Sequence, residues 1–502
     1  MTPASPVSKR LSEQMAPEIQ ELIYQPRLDY EIDNSFAHIA DLNEAHVIML
    51  VAQGIVSPSI GSKLARALLD LESIGVDSIG RNAALEDAHF NFEAKLIEMT
   101  GPEAGGRIHI GRSRNDMGAT VDRMRARQYC IEISNRLNVL RSGALEQTER
   151  HIKVVMPGYT HLQAAQPITL GFYCLGIAQA LARDFTRLKN SYATTNHSPM
   201  GAAAFAGTSF PIDRAMVADL LGFSGLVEHA LDAVASRDFL VELVSACAGL
   251  GITWSRLAQD LYAWSTDEFR LLEFPDRIAG ASSIMPQKKN HVVLEYLKAT
   301  SAQNIGDIVS MLATMRGTHF TNSIDGVRVS MKGGWQALET TLGSLVLANL
   351  VLRSFKPLPA VMLDRIRNSF ATITSLAEFL VQKCDVSFRD AHHIGGVVVR
   401  IALERKLSVD DIGSELIEEA AEEILGRRLH CHSLDIAGVM EPRRSVEDRR
   451  SAGGPSSAEV ARLLEAARHE LARDSADVKA LDESLLGARL RLKKEIATLA
   501  GA

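Results

Sequence analysis

The chain has 502 residues, and 54 Lys and Arg against 61 Asp and Glu give it a formal net charge of −7. Hydrophobic residues make up 46% and charged residues 23%, which is typical of a soluble globular protein. The mild acidity argues against a nucleic-acid binder, since such proteins present a basic surface. At this length we expect about three domains.

The cysteines give no sign of a disulfide framework or a zinc site, because no Cys-x-x-Cys spacing occurs. The first residues lack the apolar core of a signal peptide. The longest uncharged apolar run, 243–255, is too short to cross a bilayer. We therefore expect a cytoplasmic protein without membrane contact.

Helical periodicity dominates the chain. Apolar residues recur at three- and four-residue steps over 115–153, which predicts a helix on the order of 50 Å long. Four more long helices are predicted, at 167–193, 236–264, 286–315 and 333–353. The second of these four is apolar on almost every face, which predicts a position buried at the centre of a helical bundle, either within one chain or in a bundle completed by other subunits.

Strand signals are weak, and no Asn-Gly hairpin turn occurs between alternating runs. The sequence therefore predicts an all-α fold. We expect an N-terminal helical domain over 1–114, a central long-helix bundle over 115–364 and a C-terminal helical domain over 365–502.

The segment 280–290, GASSIMPQKKN, is the first that suggests chemistry. Two serines precede Pro286, which the pattern places in the first turn of a helix, at the positive end of its dipole. Lys288 and Asn290 add a cation and an amide donor, so the segment is suited to bind a carboxylate. The alternative is an ordinary serine-rich helix cap.

The second segment is 157–167, where prolines bracket a non-helical stretch that carries Thr160 and His161. Glu295 follows Lys288 by seven residues, so we expect both on one helix face. A carboxylate there could orient the imidazole of His161 and raise its pKa. The alternative is a structural histidine, the commoner role for a lone one.

The third segment, 106–116, is basic, punctuated by glycine and leads into the first long helix. Its spacing is not that of a dinucleotide-binding loop, and it suits an anion site or simply a basic helix start. Loops so far apart in sequence often meet at one end of a bundle or between bundles.

The segment 280–290 resembles the signature loop of the aspartase/fumarase superfamily. Taken with 111–116, 158–163 and 285–290, the chain is similar to the argininosuccinate lyase branch of that superfamily, and 86–89, 236–239, 388–392 and 453–454 match it as well. The resemblance implies a three-domain α-helical subunit whose bundles form a twenty-helix tetramer core. It also implies active sites shared by three subunits and a reversible elimination that releases fumarate, without a metal or organic cofactor.

The resemblance further implies a role for each matching residue. Ser282 would be the general base that removes the Cβ proton, with His161 paired to Glu295 in support. Two groups would hold the substrate carboxylates: Ser283 with Ser113 and Arg114, and Lys288 with Asn290 and Thr160. Asn115 and His89 would lie near the amine half. Donors aimed at the dianionic intermediate would lower the barrier by several kcal/mol.

The chain departs from this pattern mainly on the amine side. Asn322, Val327 and Ser330 stand where the family usually has Tyr, Gln and Lys, and Glu21 falls on a family serine. Ala281 replaces a usual glycine and could restrict loop closure. Because those amine-side positions serve the arginine half, we expect a C–N lyase acting on another N-substituted aspartate.

The first candidate substrate is ethylenediamine-N,N′-disuccinate, cleaved to N-(2-aminoethyl)aspartate and fumarate and then to ethylenediamine. Argininosuccinate is the alternative, and a structural crystallin-like protein is a second one. The intact serine, histidine and lysine set argues against a purely structural role.

Overall fold

The computed structural model describes residues 10, 11 and 13–501 and confirms an all-α fold. The N-terminal part of the chain contains α1 (Pro17–Ile19), which continues through a π-helical turn (Gln20–Tyr24) into α2 (Gln25–Ala52), then α3 (Pro58–Ile74), α4 (Ala88–Thr100) and α5 (Pro102–Gly105). Short 3₁₀ turns lie at Val76–Ser78, Ala83–Leu85 and Gly106–His109. Proline starts α3 and α5, where its missing N–H costs nothing.

Five long helices form the central bundle. In chain order this region holds α6 (Arg114–Arg150), α7 (Leu170–Thr195), the short α8 (Arg214–Leu220) and α9 (Ala230–Ala235), α10 (Asp238–Trp264), α11 (Val292–Met315) and α12 (Met331–Ser354). A π-helical turn, Asp325–Val329, precedes α12. The long helices predicted at 115–153, 167–193, 236–264 and 333–353 are confirmed to within a few residues.

Helix α10 runs through the bundle core. Leu243, Cys247 and Trp254 are fully buried, and the Trp254 indole donates a hydrogen bond to the Leu297 carbonyl at 2.9 Å. The expectation of burial on almost every face is too strong for one chain, because Ile252 is 50% exposed. This helix is long and apolar enough to cross a membrane, but over half of its apolar window is buried among its neighbours, as in a core helix.

Strands occur as three antiparallel pairs in the described part of the chain. Strand β1 (Val155–Thr160) pairs with β2 (Gln163–Thr169), β3 (Leu272–Glu273) pairs with β6 (Lys356–Pro357), and β4 (Gly280–Ala281) pairs with β5 (Lys289–Asn290). The first pair joins α6 to α7.

The helix predicted to begin at Pro286 begins instead at Val292. Segment 280–290 is the β4–β5 hairpin, and the Lys289 ammonium fixes its base by a 2.7 Å contact with Asp276. Because Lys288 lies outside α11, it shares no helix face with Glu295. The predicted helix dipole at Pro286 is therefore wrong as well.

The remaining helices are α13 (Pro359–Asn368), α14 (Ile373–Cys384), α15 (Phe388–Glu404), α16 (Ser414–Leu425), α17 (Ile436–Met440), α18 (Pro442–Glu447) and α19 (Ser457–Ala500). A separate hydrophobic core forms between residues 370 and 440. Helix α19 leaves it: Val460 and Leu464 join the bundle core, while Leu492 and Ile496 join the N-terminal core. The domain boundaries at 114 and 364 stay predictions.

Candidate active site

The predicted site residues lie at opposite ends of the central bundle. Helices α6 and α7 are antiparallel, since Arg123 contacts the Thr195 carbonyl and Cys130 the Leu188 carbonyl. The β1–β2 hairpin is therefore at the far end of the 37-residue α6, about 55 Å from its start. The three polar segments therefore do not meet at one end of a single bundle. The remaining alternative is that segments from different bundles meet.

We call the two clusters the hairpin end and the arginine end. The hairpin end holds Thr160, His161, Ser282, Ser283, Lys288, Asn290 and Glu295. The arginine end holds His89, Ser113, Arg114, Asn115 and, at the close of segment 322–330, Arg328. Neither end has the complete predicted set.

At the hairpin end, His161 and Leu162 form the turn between β1 and β2. Both have left-handed backbones, with φ of 53° and 57°, and both side chains are exposed. A two-residue turn of this hand normally uses Asn-Gly, because side chains with a Cβ disfavour positive φ. The packing of Tyr159 against Trp264 and Phe269, with ring centroids 6.4 and 5.6 Å away, holds the strand beside this turn.

The β4–β5 hairpin carries Ser282, which is half-buried, and Ser283 and Lys288. The Ser282 hydroxyl accepts a hydrogen bond from the Met285 N–H at 3.0 Å. Such a donor stabilises the charged form of an oxygen and so favours its use as a base. Ser283 and Lys288 are exposed, and the Asn290 amide donates to the Ala281 carbonyl at 3.4 Å.

Glu295 lies in the first turn of α11 and accepts a hydrogen bond from the Tyr262 hydroxyl at 3.0 Å. This bond raises the pKa of Tyr262. Within the described chain His161 makes no hydrogen bond to Glu295, so their pairing stays a prediction. Tyr262 was missed from the sequence, where it is one more aromatic residue of an apolar helix.

At the arginine end, Ser113 caps α6, as segment 106–116 predicted for a helix start. Asp116 accepts N–H bonds from Ser113, Gly201 and Ala203, each at 2.9 Å, and burial raises its pKa to about 6. The Asn115 amide donates to the Ala204 carbonyl at 2.9 Å. The 201–204 loop is thereby fixed over the start of α6.

Arg114 is already paired inside the chain. Its guanidinium donates to Glu86 at 2.7 Å and Asp87 at 3.1 Å, and its Cζ lies 4.2 Å from the centre of the Phe90 ring. His89 is buried in the first turn of α4, and its Nδ1 has no hydrogen-bond partner. Burial lowers the pKa of His89 to about 4, so the imidazole is neutral at pH 7.

Arg328 joins this end from the π-helical turn before α12. Its Nη1 donates to Asp122 at 3.1 Å, and its Nε lies 3.4 Å from the Glu31 carboxylate. The guanidinium packs against Gly118 in the second turn of α6. No sequence pattern indicates this contact, because its partners lie on elements far apart along the chain.

Comparisons with known proteins decide the family. Residues 59–306 match a family described as lyase, and 370–447 match one described as argininosuccinate lyase C-terminal. Argininosuccinate lyase 1 of Shouchella clausii is 38% identical over 490 residues, covering 98% of each chain. This chain belongs to the argininosuccinate lyase family. It is a C–N lyase of the aspartase/fumarase superfamily.

Other relatives agree. The argininosuccinate lyase of Methanococcoides burtonii is 36% identical over 87% of this lyase and 88% of its own length. Among solved structures, EDDS lyase in complex with formate has a TM-score of 0.88 at 30% identity and covers 97% of both chains. A fumarate lyase from Mesorhizobium sp. BNC1, at 18% identity and a TM-score of 0.70, shares the fold.

The structure shows how the side chains are placed at the amine-side positions where this lyase differs from the family pattern. Val327 is buried, and the Ser330 hydroxyl donates to the Gly326 carbonyl at 2.6 Å. Neither side chain is therefore free to contact a ligand. Asn322 is half-buried and Glu21 is exposed.

Proposed function

We propose that this lyase releases fumarate from an N-substituted aspartate whose amine is not arginine, with ethylenediamine-N,N′-disuccinate as the first candidate. The observation that carries the proposal is the contrast between the residues expected to bind the fumarate half of the substrate and those expected to bind the amine half. The residues expected to hold the two carboxylates of the fumarate half are all present in the sequence. In the segment expected to bind the amine, Val327 is buried and the Ser330 hydroxyl is bonded to the Gly326 carbonyl. The likeness to EDDS lyase supports the same choice.

In the proposed reaction, the Ser282 oxygen removes the Cβ proton and the C–N bond to the amine then breaks. The electron pair of the C–H bond becomes the π bond of fumarate, the amine leaves with the electron pair of the C–N bond, and the removed proton stays on the Ser282 oxygen. Negative charge accumulates on the adjacent carboxylate, where Ser283, Ser113 and Arg114 would donate. Lys288, Asn290 and Thr160 would hold the second carboxylate, and His161 with Glu295 would support the site.

We infer that the active site is shared by three subunits of a tetramer. The two ends are about 55 Å apart along α6, so one chain cannot close the set on a substrate. Helix α11 also exposes an apolar stripe in which Ile305, Val309 and Leu312 are 43%, 57% and 50% exposed. Neighbouring exposed apolar side chains on one helix face are typical of a protein interface.

The deciding experiment offers the purified lyase ethylenediamine-N,N′-disuccinate and argininosuccinate in parallel and follows fumarate by its ultraviolet absorbance. We expect turnover of the disuccinate. Ser282→Ala should lower kcat by several orders of magnitude while Ser73→Ala, a change on the exposed face of α3, leaves it unaltered. Turnover of argininosuccinate alone would overturn the proposed substrate.

A mixing experiment tests the shared site. Ser282→Ala alters the hairpin end and Asn115→Ala alters the arginine end, so tetramers that contain both variants would include sites with neither change. We expect activity to reappear when the two inactive variants are denatured, mixed and refolded together. No recovery in mixed tetramers, verified by differently tagged chains, would contradict sharing.

Argininosuccinate is the second candidate substrate, favoured by the names of the relatives at 38% and 36% identity. A crystallin-like structural role predicts that neither substrate is cleaved and that Ser282→Ala changes nothing. A cytoplasmic location stays a prediction.

A further inference from the structure

A cavity of about 480 Å³ lies between α2, α6 and α12. Its lining includes the buried side chains of His38 and Arg125 and the exposed carboxylates of Glu132 and Glu339. Arg125 follows Asn115 by ten residues on α6, which is about 15 Å along the helix. None of the residues assigned to the proposed reaction lines this cavity, so it is a separate feature of the lyase.

Arg125 brings a buried cation to this cavity. Its side chain belongs to a residue that is only 5% exposed, and the described part of the chain places no carboxylate within ion-pair distance of it. One guanidinium nitrogen donates to the Tyr30 hydroxyl at 2.9 Å. The Cζ atom lies 4.2 Å from the centre of the Trp335 ring and 5.2 Å from that of Tyr30. Because a buried arginine is nearly always paired with an acid, this one is suited to an anion supplied by a ligand.

The two acids of the cavity differ in their partners. Glu132 forms an ion pair with Arg136, whose guanidinium also donates to the Leu342 carbonyl at 3.0 Å. Glu339 accepts a hydrogen bond from the Tyr129 hydroxyl at 3.3 Å, and among the described residues it has no cationic partner. After Glu132 and Arg136 neutralise each other, one cation and one anion of the lining are left without a counter-ion.

These two charges are close neighbours. Arg125 packs on Trp335, and Glu339 follows Trp335 by four residues on α12. Arg125 and Glu339 therefore sit about one helical turn apart along the bundle, on the order of 5 Å. A ligand that touches both must carry a negative and a positive group only a few bonds apart.

We infer that this cavity binds a free α-amino acid with an uncharged side chain. The amino-acid carboxylate accepts hydrogen bonds from Arg125, and its ammonium group donates to Glu339. His38 adds no charge to the site at pH 7, because burial, with Arg125 and Arg127 nearby, lowers its pKa to about 4. A charged side chain on the ligand would find Glu132 and Arg136 already paired, which disfavours it.

Isothermal titration calorimetry with L-glutamine tests this inference without any turnover, so the result does not depend on the substrate of the lyase. The two matched probes are glutaramate, which lacks the ammonium group, and 4-aminobutanamide, which lacks the carboxylate. We expect one L-glutamine per chain, and each analogue should bind about 10- to 100-fold more weakly, since each loses a charged hydrogen bond. Equal binding of either analogue, or no heat of binding from L-glutamine at millimolar concentrations, would overturn the inference.

Variants assign the binding to this cavity. Arg125→Gln and Glu339→Gln should each weaken L-glutamine binding by about 10- to 100-fold. Glu339 is exposed, so its variant keeps the test decisive if Arg125→Gln fails to fold. Arg400→Gln, which changes an exposed arginine paired with two glutamates on α15 and α16, should leave the affinity unchanged. Binding that is lost in Lys288→Gln and kept in Glu339→Gln would place the amino acid among the proposed catalytic residues instead, and would overturn the inference.

Discussion

Gly118→Ala should destabilise this lyase even though it places a better helix former inside a helix. A methyl group at Gly118 would overlap Nη2 of Arg328 and lie 3.4 Å from its Cζ. To reach ordinary contact the guanidinium must withdraw by about 1 Å. That movement lengthens its 3.1 Å bond to Asp122 and its 3.4 Å contact with Glu31.

The expected change in the free energy of unfolding is the difference between two opposing effects. Weakening the charged hydrogen bond costs about 2 kcal/mol. Replacing glycine by alanine in a helix interior stabilises by about 1 kcal/mol. The free energy of unfolding should therefore fall by about 1 kcal/mol. In an Arg328→Ala background the same change should instead raise it by about 1 kcal/mol, because nothing remains to displace.

Urea unfolding at fixed protein concentration measures the four free energies of this double-mutant cycle. The exposed Gly396 of α15 has no atom within 4 Å of the position that a Cβ would occupy, so Gly396→Ala serves as the control for the helix effect alone. If Gly118→Ala stabilises the protein equally with and without Arg328, the guanidinium moves freely and the reasoning is refuted.

Three further outcomes are expected. Leu162→Gly should raise the free energy of unfolding by about 0.5 kcal/mol in thermal or urea unfolding, because glycine relieves the left-handed strain but has more freedom when unfolded; a loss of stability would contradict this. Burial lowers the pKa of His89 from 6.5 to about 4, so its neutral form stabilises the fold above pH 6.5 and that contribution, about 3 kcal/mol, is lost as pH falls toward 4. His89→Gln should therefore flatten the stability profile between pH 4 and 6.5, and an unchanged slope would refute it. Tyr262→Phe removes the donor to Glu295 and should lower kcat by about 10-fold with an unchanged sedimentation profile; full activity would show that the bond is dispensable.

The long helices could be predicted because their signal is local. Apolar residues at three- and four-residue steps over 115–153 place a continuous stripe on α6, and the neighbouring helices bury it. A helix cap at Ser113 can be predicted from the sequence in the same way, because Asp116 follows three residues later and completes a capping box. These features depend on residues that are close in sequence.

The hairpins could not be predicted in the same way. Pro286 suits a helix start, but strand pairing and the Lys289 contact with Asp276 fix an extended hairpin there instead. The turn at His161 and Leu162 has neither asparagine nor glycine, so its left-handed backbone depends on packing around Tyr159. The Arg328 contacts join residues from three separate elements, so no pattern within one stretch of sequence predicts them.

The path of α19 has a consequence for how the chain folds. Leu492, Ile496 and Ala500 fill the same core as Leu28 and Leu64, and the Ala500 carbonyl accepts a bond from Arg66 at 2.7 Å. At ribosomal speeds, tens of seconds pass between synthesis of these two parts. The N-terminal core is therefore incomplete until residue 500 has been synthesised, and the apolar surface that α19 later covers stays exposed. A chaperone that binds such surfaces would protect the growing chain during this interval.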